Sequence, residues 1–177
     1  MDLLSKYANK LPGQGEPGVF DDLIKGVRTT NELSKNHNVE DNVGENAKTL
    51  QEQSGNLLGL MTETNRLSYF VKDNKDVNGA VEEGSGIIAE INKILKKIAN
   101  INCFTKLCLL GKLLKKLSEL KETLEEYIGK VKGFVDMAKK SATDWVKEKM
   151  KGEALGKVSD VASKYAGGLV DKVKNIW

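Results

Sequence analysis

The side chains with which this chain could do chemistry are few: two cysteines, Cys103 and Cys108, one histidine, His37, and the adjacent glutamates Glu82, Glu83 and Glu125, Glu126. A zinc centre asks for four ligands, with the cysteines of a pair two to four residues apart and further His or Cys close by, and a dithiol redox motif asks for the shorter C-x-x-C. Cys103 and Cys108 stand five apart with no second ligand pair nearby. On a continuous helix that spacing puts them on different faces, so they could join as a disulfide only if the chain bends between them. Two reduced, buried thiols are the expected state, with a loop-closing disulfide and metal or redox chemistry as the alternatives.

His37 sits in the polar stretch SKNHNVEDNVG, without a second His or Cys near enough to share a metal, and reads as an exposed polar residue. The glutamate pairs read as solvated helix faces, and neither cysteine has a partnered histidine, so catalysis is not expected. The loop PGQGEPG spells G-x-G-x-x-G at Gly13, Gly15 and Gly18. A dinucleotide fingerprint must follow a strand inside a βαβ unit, and nothing around this loop alternates as a strand does, so it reads as a linker. No cofactor and no metal are expected.

The elements that carry these residues are helical by composition. The only prolines are Pro12 and Pro17, leaving residues 18–177 without one, and Leu, Lys, Glu, Val and Ala dominate. The expected fold class is all-α, an elongated helical bundle with long amphipathic helices and heptad-like seams, forming one structural domain. Along it lie an N-terminal amphipathic segment and Gly/Pro loop (1–20), an acidic helical region (21–85) and a basic helical region (86–177).

A first helix is expected from Asp21 or Asp22 as N-cap, weakening in the polar stretch 34–44. Val43, Ala47, Leu50, Ser54, Leu57, Met61, Thr64, Ser68 and Val71 then step by four and three, the spacing that lets one helix lie along another. Ser54, Thr64 and Ser68 make this seam soft, which suits exchangeable or multi-helix packing. A turn is expected within the charged, glycine-bearing stretch 71–86, near Gly79. Ile87, Ile91, Ile94, Ile98 and Ile101 form the clearest core helix, and a second turn is expected near Asn102. Beyond it a stripe of Leu110, Leu114, Leu117, Leu124 and Ile128 begins.

From Val131 to Ile176 the apolar positions include Trp145's neighbours Val146 and Met150, then Val158, Tyr165, Leu169 and Val173. Twelve steps cover 45 residues, or 3.75 per step. A period above 3.6 fits a straight or slightly right-handed helix better than a left-handed coiled coil. Lysines flank this stripe, and Trp145 and Trp177 are large amphipathic anchors on it. Glycine pairs spaced G-x-x-x-G, at Gly55 and Gly59, Gly129 and Gly133, and Gly152 and Gly156, suggest close helix approach or helices that bend.

Charge is lopsided. Residues 1–85 hold 9 Lys+Arg against 14 Asp+Glu, a balance of −5, and residues 86–177 hold 19 against 11, a balance of +8. The bases are lysines except Arg28 and Arg66, which disfavours bidentate phosphate and base-edge reading, so no specific nucleic acid is expected as a partner. The N-terminus has an acid at position 2 and no apolar core segment, and no apolar run approaches the roughly 20 residues of a membrane span. Location is therefore expected to be cytoplasmic, or outside after leaderless export, with peripheral membrane attachment.

The function that these features favour is non-enzymatic: oligomerisation with copies of itself, and engagement of anionic lipid through the basic amphipathic C-terminal half, in a membrane-perturbing or pore-forming assembly. Its face would be Trp145, Val146, Met150, Val158, Tyr165, Leu169, Val173 and Trp177. The helix-packing seam would be Val43, Leu50, Leu57 and Met61 with Ile87, Ile91, Ile94 and Ile98. The alternatives are a self-assembling subunit of a filament, tube or shell, and an adaptor whose seam receives a partner helix.

Overall fold

The computed structural model describes residues 3–101 and 106–165, with side chains described for 3–101 and 110–151. Six α-helices and no strand occur among them, and the fold is an all-α helical bundle. The helices are α1 (Leu3–Lys6), α2 (Asp21–Ser34), α3 (His37–Val43), α4 (Glu45–Arg66), α5 (Lys75–Ala99) and α6 (Lys106–Tyr165), with 3-10 turns at Ala8–Lys10 and Ser68–Phe70.

Local chemistry sets most of the boundaries. The Asn36 side chain accepts hydrogen bonds from the backbone N–H groups of Asn38 and Val39 and starts α3. Gly44, at φ 57°, separates α3 from α4 in a conformation that L side chains rarely adopt. Asn74 accepts from the N–H groups of Asp76 and Val77 and starts α5, which ends with Lys96 and Lys97 in its last turn, where cations oppose the negative end of the helix dipole.

Two expected boundaries move. The residue before α2 is Phe20, not an aspartate: Asp21 and Asp22 lie in the first turn, and Asp21 Oδ2 accepts from the N–H of Gly18 at 2.9 Å. The turn expected near Gly79 comes earlier, over residues 67–74, and α5 runs unbroken through Gly79, Gly84 and Gly86. The Asn74 cap and the apolar ladder of Val77, Ala80, Ile87 and Ile91, all buried, outweigh the cost of those glycines. The break expected near Asn102 begins at Asn100, which follows the last residue of α5.

The chain divides into two compact units. The larger, Gly15–Ala138, holds α2 to α5 and the first part of α6. In it α2 packs on both α4 and α5. The residues at four-and-three spacing on α4, from Ala47 through Leu50, Ser54, Leu57 and Met61 to Thr64, are buried, as are Val43 and Val71. Ile87, Ile91, Ile94 and Ile98 are buried too, joined by Ile88 and Leu95.

On α6 the inward row runs through Leu113, Leu117, Leu120, Leu124, Tyr127, Val131, Val135 and Ala138. Leu110, Leu114 and Ile128, expected in that row, are only half-buried. The helix rolls to bring the Tyr127 ring inward, where its hydroxyl donates to the Ala80 carbonyl at 2.6 Å.

Polar groups thread this core and are tied to one another. Thr30 donates to Asn92 Oδ1 at 2.6 Å, and Asn92 Nδ2 donates to the Gly26 carbonyl at 3.0 Å. Asn31 donates to Ser54 Oγ at 2.9 Å, and Ser54 donates in turn to the Leu50 carbonyl at 2.6 Å. Gln53 Nε2 reaches the Lys121 carbonyl at 3.3 Å, while its Oε1 is buried without a partner. The smaller unit is Met1–Gln14 with the chain from Lys139 onward.

Candidate functional site

In the smaller unit the N-terminal segment and α6 come together. Leu4, Leu11, Ala142 and Val146 are buried, the last at 1% exposure. Between the N-terminal segment and α6 lies an open groove lined by Tyr7, Lys10, Trp145, Val146, Lys149 and Met150. Segment 3–11 is too short to hold itself together, and its Leu4, Tyr7 and Leu11 are spaced as one turn-by-turn apolar row. The Gln14 side-chain amide donates to the Ala8 carbonyl and folds the loop back over the 3-10 turn.

Lysines surround the two aromatic rings of this groove. The ammonium groups of Lys6 and Lys10 stand 5.7 Å and 5.6 Å from the Tyr7 ring centroid, and that of Lys149 stands 5.2 Å from the Trp145 ring. These are cation–π distances. All three lysines are exposed, and no described carboxylate lies within ion-pairing distance of any of them. Asp144 and Glu148 are exposed on neighbouring positions of the same helix. Charge follows the division of the chain: the smaller unit holds 11 lysines against 6 Asp+Glu, the larger 17 Lys+Arg against 19.

A second aromatic cluster lies in the larger unit at the α4–α5 turn. Tyr69 and Phe70 meet edge to face at 5.2 Å, Lys72 is 4.8 Å from the Tyr69 ring, and Tyr69 is 42% exposed. Lys72 is beside Asp73 in sequence.

Of the face expected on the C-terminal half, Trp145 and Met150 are half-buried and line the groove, and Val146 forms its floor. Val158 and Tyr165 belong to α6, but their side chains lie outside the described residues, as do Leu169, Val173 and Trp177 altogether. Cys103 is outside them as well, and for Cys108 only its place in α6 is described. The seam residues Val43, Leu50, Leu57, Met61, Ile87, Ile91, Ile94 and Ile98 are inside the bundle, away from solvent.

His37 opens α3, with Nε2 3.2 Å from Asp41 and both side chains largely exposed, a pair of little energetic weight. The loop bearing Gly13, Gly15 and Gly18 leads into α2 from turn structure, without a strand before it, and its Phe20 N–H donates to Asn65 Oδ1 at 2.8 Å. Among the described residues no three His, Cys, Asp or Glu side chains are placed to share a metal, and no helix is long and apolar enough to cross a membrane.

Of the two roles expected of the G-x-x-x-G glycines, close helix approach is corrected at Gly55, Gly59, Gly129 and Gly133. A Cβ on Gly55, Gly59, Gly129 or Gly133 would meet nothing within 4 Å, so these positions face open space. Close approach occurs instead at Gly84, where a Cβ would run into the Tyr127 hydroxyl, and at Gly26, where it would come within 3.0 Å of Ile88. Gly152 and Gly156 have no described surroundings.

Sequence reasoning gave the C-terminal half a surface role and passed over Lys6, Tyr7 and Lys10. The signal was the short apolar row itself: a stripe of less than three turns has to be covered by some other part of the chain. Compared with models of known families, with curated proteins and with solved structures, the chain matches none.

Proposed function

We propose that this is a non-enzymatic helical protein that engages anionic membrane surfaces through its smaller, lysine-rich unit. The observation that carries this reading is the concentration of charge: 11 lysines against 6 acids in the smaller unit, while the larger is slightly acidic. Each lysine held near an anionic leaflet contributes about 1 kcal/mol of attraction. Tyrosine and tryptophan rings such as Tyr7 and Trp145, half-buried with lysines over them, suit the headgroup layer, where one end of the ring is apolar and the other wet.

The apolar row of α6 from Leu113 to Val146 that faces inward is occupied within the chain itself. Attachment in this conformation is therefore peripheral, and a membrane-perturbing or pore-forming oligomer would require the bundle to open. Self-association through the α4 or α5 seams would require the same.

Flotation on neutral and on anionic vesicles tests the reading, with a lipid-free sample viewed by electron microscopy. Binding that rises with anionic lipid and falls as salt screens the charges is the expected result. Ordered particles in the lipid-free sample without flotation would replace it with the self-assembling subunit.

A further inference from the structure

The geometry points to the groove between Tyr7 and Trp145 as the docking site for the phosphate-bearing headgroup of an anionic membrane lipid, a site to which the N-terminal segment contributes Tyr7 and Lys10. The inference rests on the membrane reading and narrows it to named side chains. An anionic headgroup needs positive charge that is not already neutralised. Lys10 on one wall and Lys149 on the other meet that need, with Lys6 also beside the Tyr7 ring, since each lies over an aromatic face and none has a described carboxylate partner. As point charges on flexible stems they suit a headgroup of variable orientation.

The floor fits the apolar side of the same ligand. Met150 and the two rings, all half-buried, line the groove, so the first methylenes of the lipid can lie against them while the phosphate stays at the lysine rim. Methionine adapts to such irregular apolar shapes. At the Tyr69 and Lys72 cluster the lysine has Asp73 next to it in sequence. Neither segment forms the site alone, because Tyr7 and Lys10 come from the N-terminal segment and Trp145, Lys149 and Met150 from α6.

The test uses the full chain carrying Trp177→Phe, so that Trp145 is the sole tryptophan. Vesicles of phosphatidylcholine, with and without phosphatidylserine, carry acyl chains brominated close to the headgroup. On the anionic vesicles Trp145 fluorescence should shift to the blue and be quenched. The triple variant Lys6→Gln, Lys10→Gln, Lys149→Gln should lower partitioning by on the order of a hundredfold, about fivefold per lysine. An equal change of charge on exposed positions of the larger unit, Lys93→Gln, Lys96→Gln, Lys97→Gln, should lower it far less. Trp145 left unquenched on vesicles that do carry the protein, or equal losses in the two triple variants, would overturn the site and leave the membrane reading standing. Failure of the unsubstituted chain to float at all would overturn both.

Discussion

The Tyr127 hydroxyl occupies the space where a side chain on residue 84 would be. Gly84 is buried in α5, and a Cβ there would collide with the Tyr127 hydroxyl and come within 2.7 Å of Leu23. Three helices thus converge on one missing methyl group: α2 through Leu23, α5 through Gly84, and α6 through a tyrosine that donates to the Ala80 carbonyl one turn away.

Gly84→Ala should therefore cost about 1–3 kcal/mol, because a filled core must strain to accept the methyl. Gly129→Ala, on the open face of α6, should instead gain up to about 1 kcal/mol from helix propensity. Urea unfolding of the two variants checks the contrast. Equal and opposite slopes are not needed, but a neutral Gly84→Ala would show that Tyr127 is not seated as described.

Burial pushes the Tyr127 phenol up from its ordinary range, with the Glu83 carboxylate adding to the effect. The folded state therefore holds its proton more tightly than the unfolded chain does. Stability from this group is fully present below about pH 10, the ordinary phenol value, and is lost as pH rises beyond it, because only the unfolded state releases the proton readily. Tyr127→Phe should lower stability at neutral pH by about 1 kcal/mol and flatten the alkaline fall. Thermal melts at rising pH, wild type beside variant, measure both.

The Thr30 to Asn92 bond is a buried polar pair, and removing one member leaves the other without its partner. Thr30→Val should cost about 1–3 kcal/mol. Thr30→Val combined with Asn92→Leu should cost less than the two single changes added, since no orphaned amide remains. Gln53, whose Oε1 already lacks a partner, behaves in the opposite sense: Gln53→Met should stabilise by about 1 kcal/mol. A double-mutant cycle in urea decides the first point and a single melt the second.

Val146 is buried where the N-terminal segment meets α6. Val146→Glu should release that segment, because an unpaired carboxylate cannot stay in the apolar floor. Hydrogen exchange should speed up over residues 3–11 while α2 to α5 keep their protection. Lipid binding lost in this variant would then report on the fold of the site, which is why the exposed lysines are the better probes of recognition.

Much of the bundle was legible in the residues. The four-and-three spacing on α4 and the isoleucine ladder on α5 name side chains that are buried, since a helix in water must hide one face. The α5 start was misplaced because Gly79 and Gly86 look like breakers locally, whereas the Asn74 cap and a long apolar face decide the matter. On α6 the expected Leu117 and Leu124 are buried, but Leu110, Leu114 and Ile128 are as apolar as their neighbours and gave no sign that Leu113, Leu120 and Tyr127 take the inward positions, Tyr127 with a carbonyl partner. The groove was half legible: Trp145 and Met150 stood out beside lysines, but pairing with Lys6, Tyr7 and Lys10 depends on contacts that no local pattern encodes.

Tyr7 and Trp145 are 138 positions apart, and that separation orders events during synthesis. All of the larger unit has been made before Trp145 exists, so α2 to α5 can assemble on the nascent chain while the N-terminal segment has no seat. Closing a free loop of that length costs on the order of 4 kcal/mol in chain entropy. The junction of the N-terminal segment with α6 thus carries a long-range closure cost that the contacts within α2 to α5 do not, which marks it as a region expected to open while the bundle stays folded.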